Sequence, residues 1–517
     1  MKNIRSIFPT AYRASGVVLD IAALPSRFGI GDAGPSALSW LDRLRDAEQS
    51  WWHAIQLDSP RSCDSVYDSS SSFAANELLI SPDWLIEDGL LSPRDCEIVK
   101  FAEGSIDYDV VVPFKHWLLE KAWKKFECGA RKDLRPWYEQ FKKKQKHWLE
   151  DYALFRALKM KFRGAPYVEW PVDLVARNQA ALAAARRELT SEIDQVRFSQ
   201  FLLSRQIKRL KEYANSKGVR LIGDSPFFIS ADSSEVWAYP ELFVRDEKFA
   251  QGVAADLVPF CFSSSDGFGC DIDRAALSRV SYRWCADRLR VLLTQVHVAR
   301  VEVRALAAPR HATGGALANR VREGDGDFNP AAAKGLTGDG LTLDRTGGFA
   351  FHDRFYIPET RPLQFAFDGR SDHASIAQTG TSNSVLYTGL PDGLSVREWF
   401  TELPDDHRRA LWAYMKRPAD ESEVAPELIR MAWSSGAALA MVSFPDLLNL
   451  ERDPARIGDF NNSHRRWRCS EDMLSAPALS WLRELTRESN RSAERQETPS
   501  PAKRKSSRTR PRIEAAL

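Results

Sequence analysis

A chain of 517 residues, 44% hydrophobic with 16 Trp and 27 Phe, has material for a large core and is too long for one minimal domain. A formal net charge of +2 gives no general ground for a nucleic-acid or acidic partner. The seven cysteines (Cys63, Cys96, Cys128, Cys261, Cys270, Cys285, Cys469) are scattered and contain no CxxC pair, which argues for a reducing compartment and against zinc or a disulfide framework. The opening MKNIRSIFPTAYRASG lacks an apolar signal core, and no run reaches membrane-spanning length. A soluble cytoplasmic protein is expected.

In chain order, short apolar runs stand at 16–21, 51–57, 219–229, 296–303, 363–367, 384–388 and 437–444, with a weaker eighth at 341–343. Helix-like segments often separate them. That alternation predicts a parallel sheet, and about eight strands predict a closed (β/α)8 TIM barrel, an α/β fold. About 160 residues lie between the second and third runs. They are rich in helix formers at 114–126, 148–162 and 178–190, so a large helical insertion is expected there. The stretch 205–218 reads as an amphipathic helix capped by Gly218 and feeding the third strand.

The expected organisation is 1–60 for the first barrel strands, 61–200 for the insertion, 201–486 for the rest of the barrel with its loop insertions, and 487–517 for a disordered basic tail. From about Arg491 the tail lacks aromatics, contains Pro499 and Pro501, and clusters Lys503, Arg504, Lys505, Arg508, Arg510 and Arg512. With a nearly neutral body, a solvated extension is the better reading than a nucleic-acid arm.

The run 296–303 carries the most chemistry. Alternation along a strand sets Arg300 and Glu302 on one face and Val301 and Val303 on the other. Buried charges on one face of an apolar strand pair with something or perform chemistry. In a barrel that face looks into the interior.

Longer motifs now carry a resemblance. ASGVVLDIAALPSRFGIGDAGPSA (14–37), QSWWHAIQL (49–57), LKEYANSKGVRLIGDSPFFIS (210–230), DSSEVWAYPELF (232–243), RPLQFAFDG (361–369), SNSVLYTG (382–389) and RRWRC (465–469) are similar to the amylomaltases. These are the 4-α-glucanotransferases, or disproportionating enzymes, of the α-amylase superfamily. The likeness runs from about Arg13 to Arg468. It implies a (β/α)8 barrel that cuts an α-1,4-glucan and passes the maltooligosaccharide piece to another sugar with retention, in starch or glycogen metabolism. Such chemistry needs a nucleophile and an acid/base about 5–5.5 Å apart, and in this family a third carboxylate that grips sugar hydroxyls. No metal or organic cofactor is implied; the implied partner is maltooligosaccharide or α-1,4-glucan, with no nucleic acid or membrane expected.

Carried over residue by residue, the motifs are altered. The family's nucleophile strand, R-I-D-H-F-R-G, falls on Arg300-Val301-Glu302-Val303-Arg304-Ala305-Leu306, which makes Glu302 the nucleophile position and lengthens it by one methylene. A misplacement of about 1 Å can cost ~10²-fold. The competing reading for Arg300 and Glu302 is an ion-pair remnant, with Asp224 as a partner. The acid/base motif E-D-L-G is replaced, leaving Asp339 or Asp344 as candidates; a glycine-flanked aspartate such as Asp339 is more often a turn residue. The third carboxylate falls on Asp392, with Pro391 and Gly393 where the family has histidine and asparagine, and Pro-Asp-Gly is also a turn sequence. Losing a transition-state donor typically costs ~10²–10³.

For sugar contacts the resemblance points to Asp64, Tyr67, Asp224, Trp237 and Phe268; for each aromatic singly, core packing is the stronger reading. Two functions remain open: a 4-α-glucanotransferase with impaired activity, or a non-catalytic homologue that binds α-glucan or serves as a regulatory partner.

Overall fold

The structure, a computed structural model, describes residues 7–9, 11–54, 70–224, 230–243, 276, 279–280, 283–301, 340–344, 358–367, 383–389, 395–416, 420–451, 467–475 and 477–492, with the backbone alone at 301, 340–344 and 365. Eight parallel strands close into a barrel: β1 (Ala14–Val18), β2 (Trp51–His53), β3 (Arg220–Asp224), β4 (Val298–Val301), β5 (Gly340–Asp344), β6 (Glu359–Pro362), β7 (Ser384–Tyr387) and β8 (Leu439–Ser443). The seam is sealed where Gly16 of β1 pairs with Met441 of β8 on one side and with Trp51 of β2 on the other.

Strand alternation sorts the side chains into two cores. Ala14, Val18, Trp51, Ile222, Val298, Val385, Tyr387, Leu439 and Met441 fill the barrel interior. Val17, Trp52, Leu221, Leu386, Ala440 and Val442 pack outward against the helical layer. Gly16 is needed because a Cβ there would lie 2.3 Å from the Trp51 carbonyl oxygen. At the strands' N-terminal end Phe8 and Tyr12 stack, and Trp51 Nε1 donates to Tyr12 Oη at 2.9 Å, which plugs the barrel floor.

The expected insertion is present between β2 and β3 as helices Tyr108–Glu127, Arg135–Lys161 and Gln179–Glu188. It has its own core, built on Trp148, Tyr152, Phe155, Tyr167 and Trp170. Helix Thr190–Ser216 then runs unbroken into the barrel, packed along Arg135–Lys161. It begins well before residue 205 and passes through residue 200, so insertion and barrel share one rigid rod. Its end is a Schellman motif: Val219 N–H donates to Ala214 O and Gly218 N–H to Asn215 O, with Gly218 at φ +71°.

Two sequence expectations are corrected and one is strengthened. Residues 363–367, read as a strand, form a 3-10 turn (Leu363–Phe367) that follows β6. A short, largely apolar run has no periodicity to separate strand from turn. The weak eighth run is a full strand, β5. Finally, helix Pro477–Glu488 is followed by a fully buried Arg491, not by the start of a disordered tail. Arg491 lies under the barrel and donates from Nη1 to Ala14 O and Ala437 O, from Nε to Trp433 O, and from Nη2 to Ser435 O. Residues 493–517, the remainder of the expected tail, lie outside the described residues.

Candidate active site at the barrel's C-terminal end

Two residues beyond the apolar filling of β2, β3, β4 and β7, the same inward alternation delivers four polar side chains. Trp51 leads to His53, Ile222 to Asp224, Val298 to Arg300, and Val385 to Tyr387. All four are at most 3% exposed. Buried polar groups at the C-terminal ends of barrel strands occupy the face where barrel chemistry sits.

They form one connected network. Arg300 grips Asp224 through a two-point fork, Nε to Oδ1 at 2.7 Å and Nη2 to Oδ2 at 2.9 Å. His53 Nε2 meets Asp224 Oδ1 at 2.9 Å, and Tyr387 Oη meets His53 Nδ1 at 3.1 Å. Burial alone would push the Asp224 carboxyl up, but the Arg300 charge and His53 outweigh it and hold it well below the usual carboxylate range. An ionised carboxylate only accepts, so His53 carries its proton on Nε2. Its Nδ1 and the Tyr387 hydroxyl share the second bond. Every link in the chain has a donor and an acceptor.

Of the residues singled out by sequence, Arg300 and Asp224 are thus brought together. Asp224 serves as the anchor of Arg300. Asp344 is the last residue of β5, its Cα in register with Thr360 of β6, so it ends its strand on the C-terminal side; β5 begins at Gly340. Glu302, Asp339, Asp392, Asp64, Tyr67 and Phe268 lie outside the described residues.

Trp237 is corrected. It is 1% exposed, with Phe155 and Trp170 ring centroids each at 5.8 Å and the Arg177 guanidinium over its face at 4.3 Å. Its Nε1 donates to Leu174 O at 2.9 Å. Buried and with its one donor used, it is a core residue packed against the insertion and offers no platform to a sugar.

Sequence reasoning missed His53 and Tyr387. The signal was available: each carries a polar atom inside an apolar run, as Arg300 does. Among the described residues no group of three or more His, Cys, Asp or Glu side chains could hold a metal ion, and no helix is long and apolar enough to cross a membrane.

Comparison with known proteins agrees with this architecture. The family model described as 4-alpha-glucanotransferase matches residues 19–308 and 349–472. The interval between those spans contains Asp339 and Asp344. The 4-alpha-glucanotransferase of Streptococcus pneumoniae is 31% identical over 92% of this chain and 96% of its own. That of Aquifex aeolicus is 32% identical over 89% of this chain and 96% of its own. An amylomaltase structure from Streptococcus agalactiae, in complex with acarbose, superposes with a TM-score of 0.79 at 25% identity, covering 93% of this chain and all of that one. With matching strands, insertion and motifs along most of its length, this chain belongs to the 4-alpha-glucanotransferase family.

Proposed function

We propose that the chain transfers maltooligosaccharide units between α-1,4-glucans with retention, at a rate lowered by its altered strand-end motifs. The observation that carries this reading is the Arg300–Asp224 fork. It fixes a guanidinium on β4 two residues before Glu302, inside the barrel and at its C-terminal end. In this reading Glu302 attacks C1 of the glucan and displaces the glycosidic oxygen. Asp344, which ends β5 on the C-terminal side, protonates that leaving oxygen and then deprotonates the acceptor hydroxyl, whose oxygen attacks C1 and releases Glu302. Asp392 grips sugar hydroxyls as charge develops at the ring. Asp339 is the less favoured acid/base, because β5 starts at Gly340, the end remote from this face. Asp64, Tyr67 and Phe268 would extend the glucan groove. A reducing cytoplasm suits the described cysteines, Cys96, Cys128, Cys285 and Cys469, all free thiols.

A second reading, a glucan-binding protein without turnover, is favoured by one observation: the family match breaks across 309–348, where the acid/base candidates lie. Purified protein incubated with maltotriose separates the two. Glucose and longer oligomers that vanish in Glu302→Gln support transfer. Acarbose or maltoheptaose binding by calorimetry with no turnover supports the second reading and removes the first.

A further inference from the structure

The backbone ladder of the barrel joins each strand only to its neighbours, so β7 and β2 are separated by β8 and β1. One side-chain path crosses the interior between them: Tyr387 Oη to His53 Nδ1 at 3.1 Å, His53 Nε2 to Asp224 Oδ1 at 2.9 Å, and Asp224 to Arg300 through the fork. It connects the end of β7, which leads through Thr388 and Gly389 toward Asp392, to β4, which leads from Arg300 toward Glu302. Gly389 is itself packed tightly, since a Cβ there would meet the Gln364 side chain at 3.1 Å. The imidazole's two nitrogens lie on opposite edges of one rigid ring, so a single side chain fixes both spans. It is fully buried and stacked edge-on to Tyr387, with ring centroids 5.7 Å apart, which leaves it no alternative partner in water.

We propose that His53 is a positioning residue of the transfer site: by bridging Tyr387 to Asp224 it holds the β7 end and the Arg300-bearing β4 end at a fixed separation. The proposal rests on the glucan-transfer reading above. His53 touches no sugar in this role. It sets how far the strand end carrying the nucleophile position stands from the one carrying the third carboxylate. Loosening that separation by about 1 Å costs rate at the chemical step, on the order of 10²-fold, rather than substrate affinity.

The test compares wild type, His53→Ala, His53→Gln and Tyr387→Phe in maltotriose disproportionation, reading kcat and KM separately, with urea unfolding as a check on folding. His53→Ala is expected to lower kcat about 10- to 100-fold with KM within about threefold. His53→Gln is expected to restore most of the loss, because its amide N–H can donate to Asp224 while its carbonyl accepts from Tyr387. Tyr387→Phe, which removes one hydroxyl only, is expected to lower kcat severalfold at unchanged KM. If His53→Ala proves unfolded, the two milder variants carry the comparison. Wild-type kcat in His53→Ala, or in both milder variants where His53→Ala is unfolded, overturns the positioning role alone. So does a Gln variant no better than Ala. A wild type that forms no glucose from maltotriose overturns the transfer reading and this role with it.

Discussion

Arg300 and Asp224 meet as a fully buried fork on adjacent strands, their Cα atoms in register and their side chains joined by bonds of 2.7 and 2.9 Å. The pair is nearly neutral as a unit, which is what allows it inside the barrel. Either member alone is an uncompensated buried charge. Arg300→Ala is therefore expected to destabilise the fold by about 3–5 kcal/mol. Arg300→Lys keeps the charge but replaces the planar fork by a point donor. It should retain more stability than Arg300→Ala while losing glucan transfer at least ~10²-fold. Urea unfolding and maltotriose turnover on both variants check this; a Lys variant with wild-type turnover would show that charge alone suffices.

How far could this site be read from sequence? Arg300 was legible because an arginine within a run of β-branched residues has few structural excuses, and parity then assigned its face. His53 sits in Trp51-Trp52-His53-Ala54 with a like parity, yet one imidazole among tryptophans resembles a core residue until its partners on β3 and β7 are known. Trp237 failed in the other direction, because sequence does not say which side of an aromatic is covered. Arg491 was hidden by its neighbours: the basic, proline-bearing stretch after it set the composition of the window, while its own partners are backbone carbonyls some 55 residues upstream and at the start of β1. Contacts of that range leave no local pattern.

Acid should weaken the fold in two steps. His297 is held down to about 3, by burial first and then by the Lys211 and Arg220 charges; its Nδ1 accepts from Leu221 N–H, so its Nε2 donates to Asn215 Oδ1. Glu77 is held at about 2, because the His116 hydrogen bond and the Arg156 guanidinium outweigh a burial that alone would raise it. Unfolded, these groups take up protons near 6.5 and 4.5. Both folded values lie below the unfolded ones, so the stability they contribute is complete above pH 6.5. It is lost as pH falls, first through the histidine window and then through the glutamate window. Urea midpoints measured from pH 7.5 to 3.5 should fall throughout. His297→Asn should flatten the decline between 6.5 and 4.5, and Glu77→Gln the decline below 4.5. An unchanged slope in either variant removes that residue from the account.

Arg491 and Arg13 offer a matched pair beneath the barrel. Both donate to Trp433 O and Ser435 O at the C-terminal end of helix Glu421–Ser434, where the helix dipole favours a cation. Arg491 is fully buried and also holds Ala14 O and Ala437 O at the β1–β8 seam, whereas Arg13 is partly exposed. Arg491→Met leaves the buried Ala14 O and Ala437 O, which Arg13 does not reach, without their guanidinium donor and is expected to cost about 3 kcal/mol or more. Arg13→Met leaves its carbonyls within reach of solvent and of Arg491, and should cost about 1 kcal/mol. Equal losses in chemical denaturation would mean that burial of the acceptors does not set the cost.

Gly16 and Gly218 separate steric need from backbone need. At Gly16 an added Cβ would lie 2.3 Å from Trp51 O and 2.6 Å from Trp51 Cβ, and Trp51 is its register partner across the β1–β2 ladder. Relief requires β1 and β2 to part, which breaks the ladder at the closed seam. Gly16→Ala is therefore expected to cost about 3 kcal/mol, at the upper end for overpacking. At Gly218 the same added atom meets nothing within 4 Å, and the only penalty is the left-handed φ of +71°. Gly218→Ala should cost about 1 kcal/mol. The two variants unfolded side by side in urea give the comparison: if Gly218→Ala is the more damaging, the barrel wall at β1 yields more readily than its packing implies.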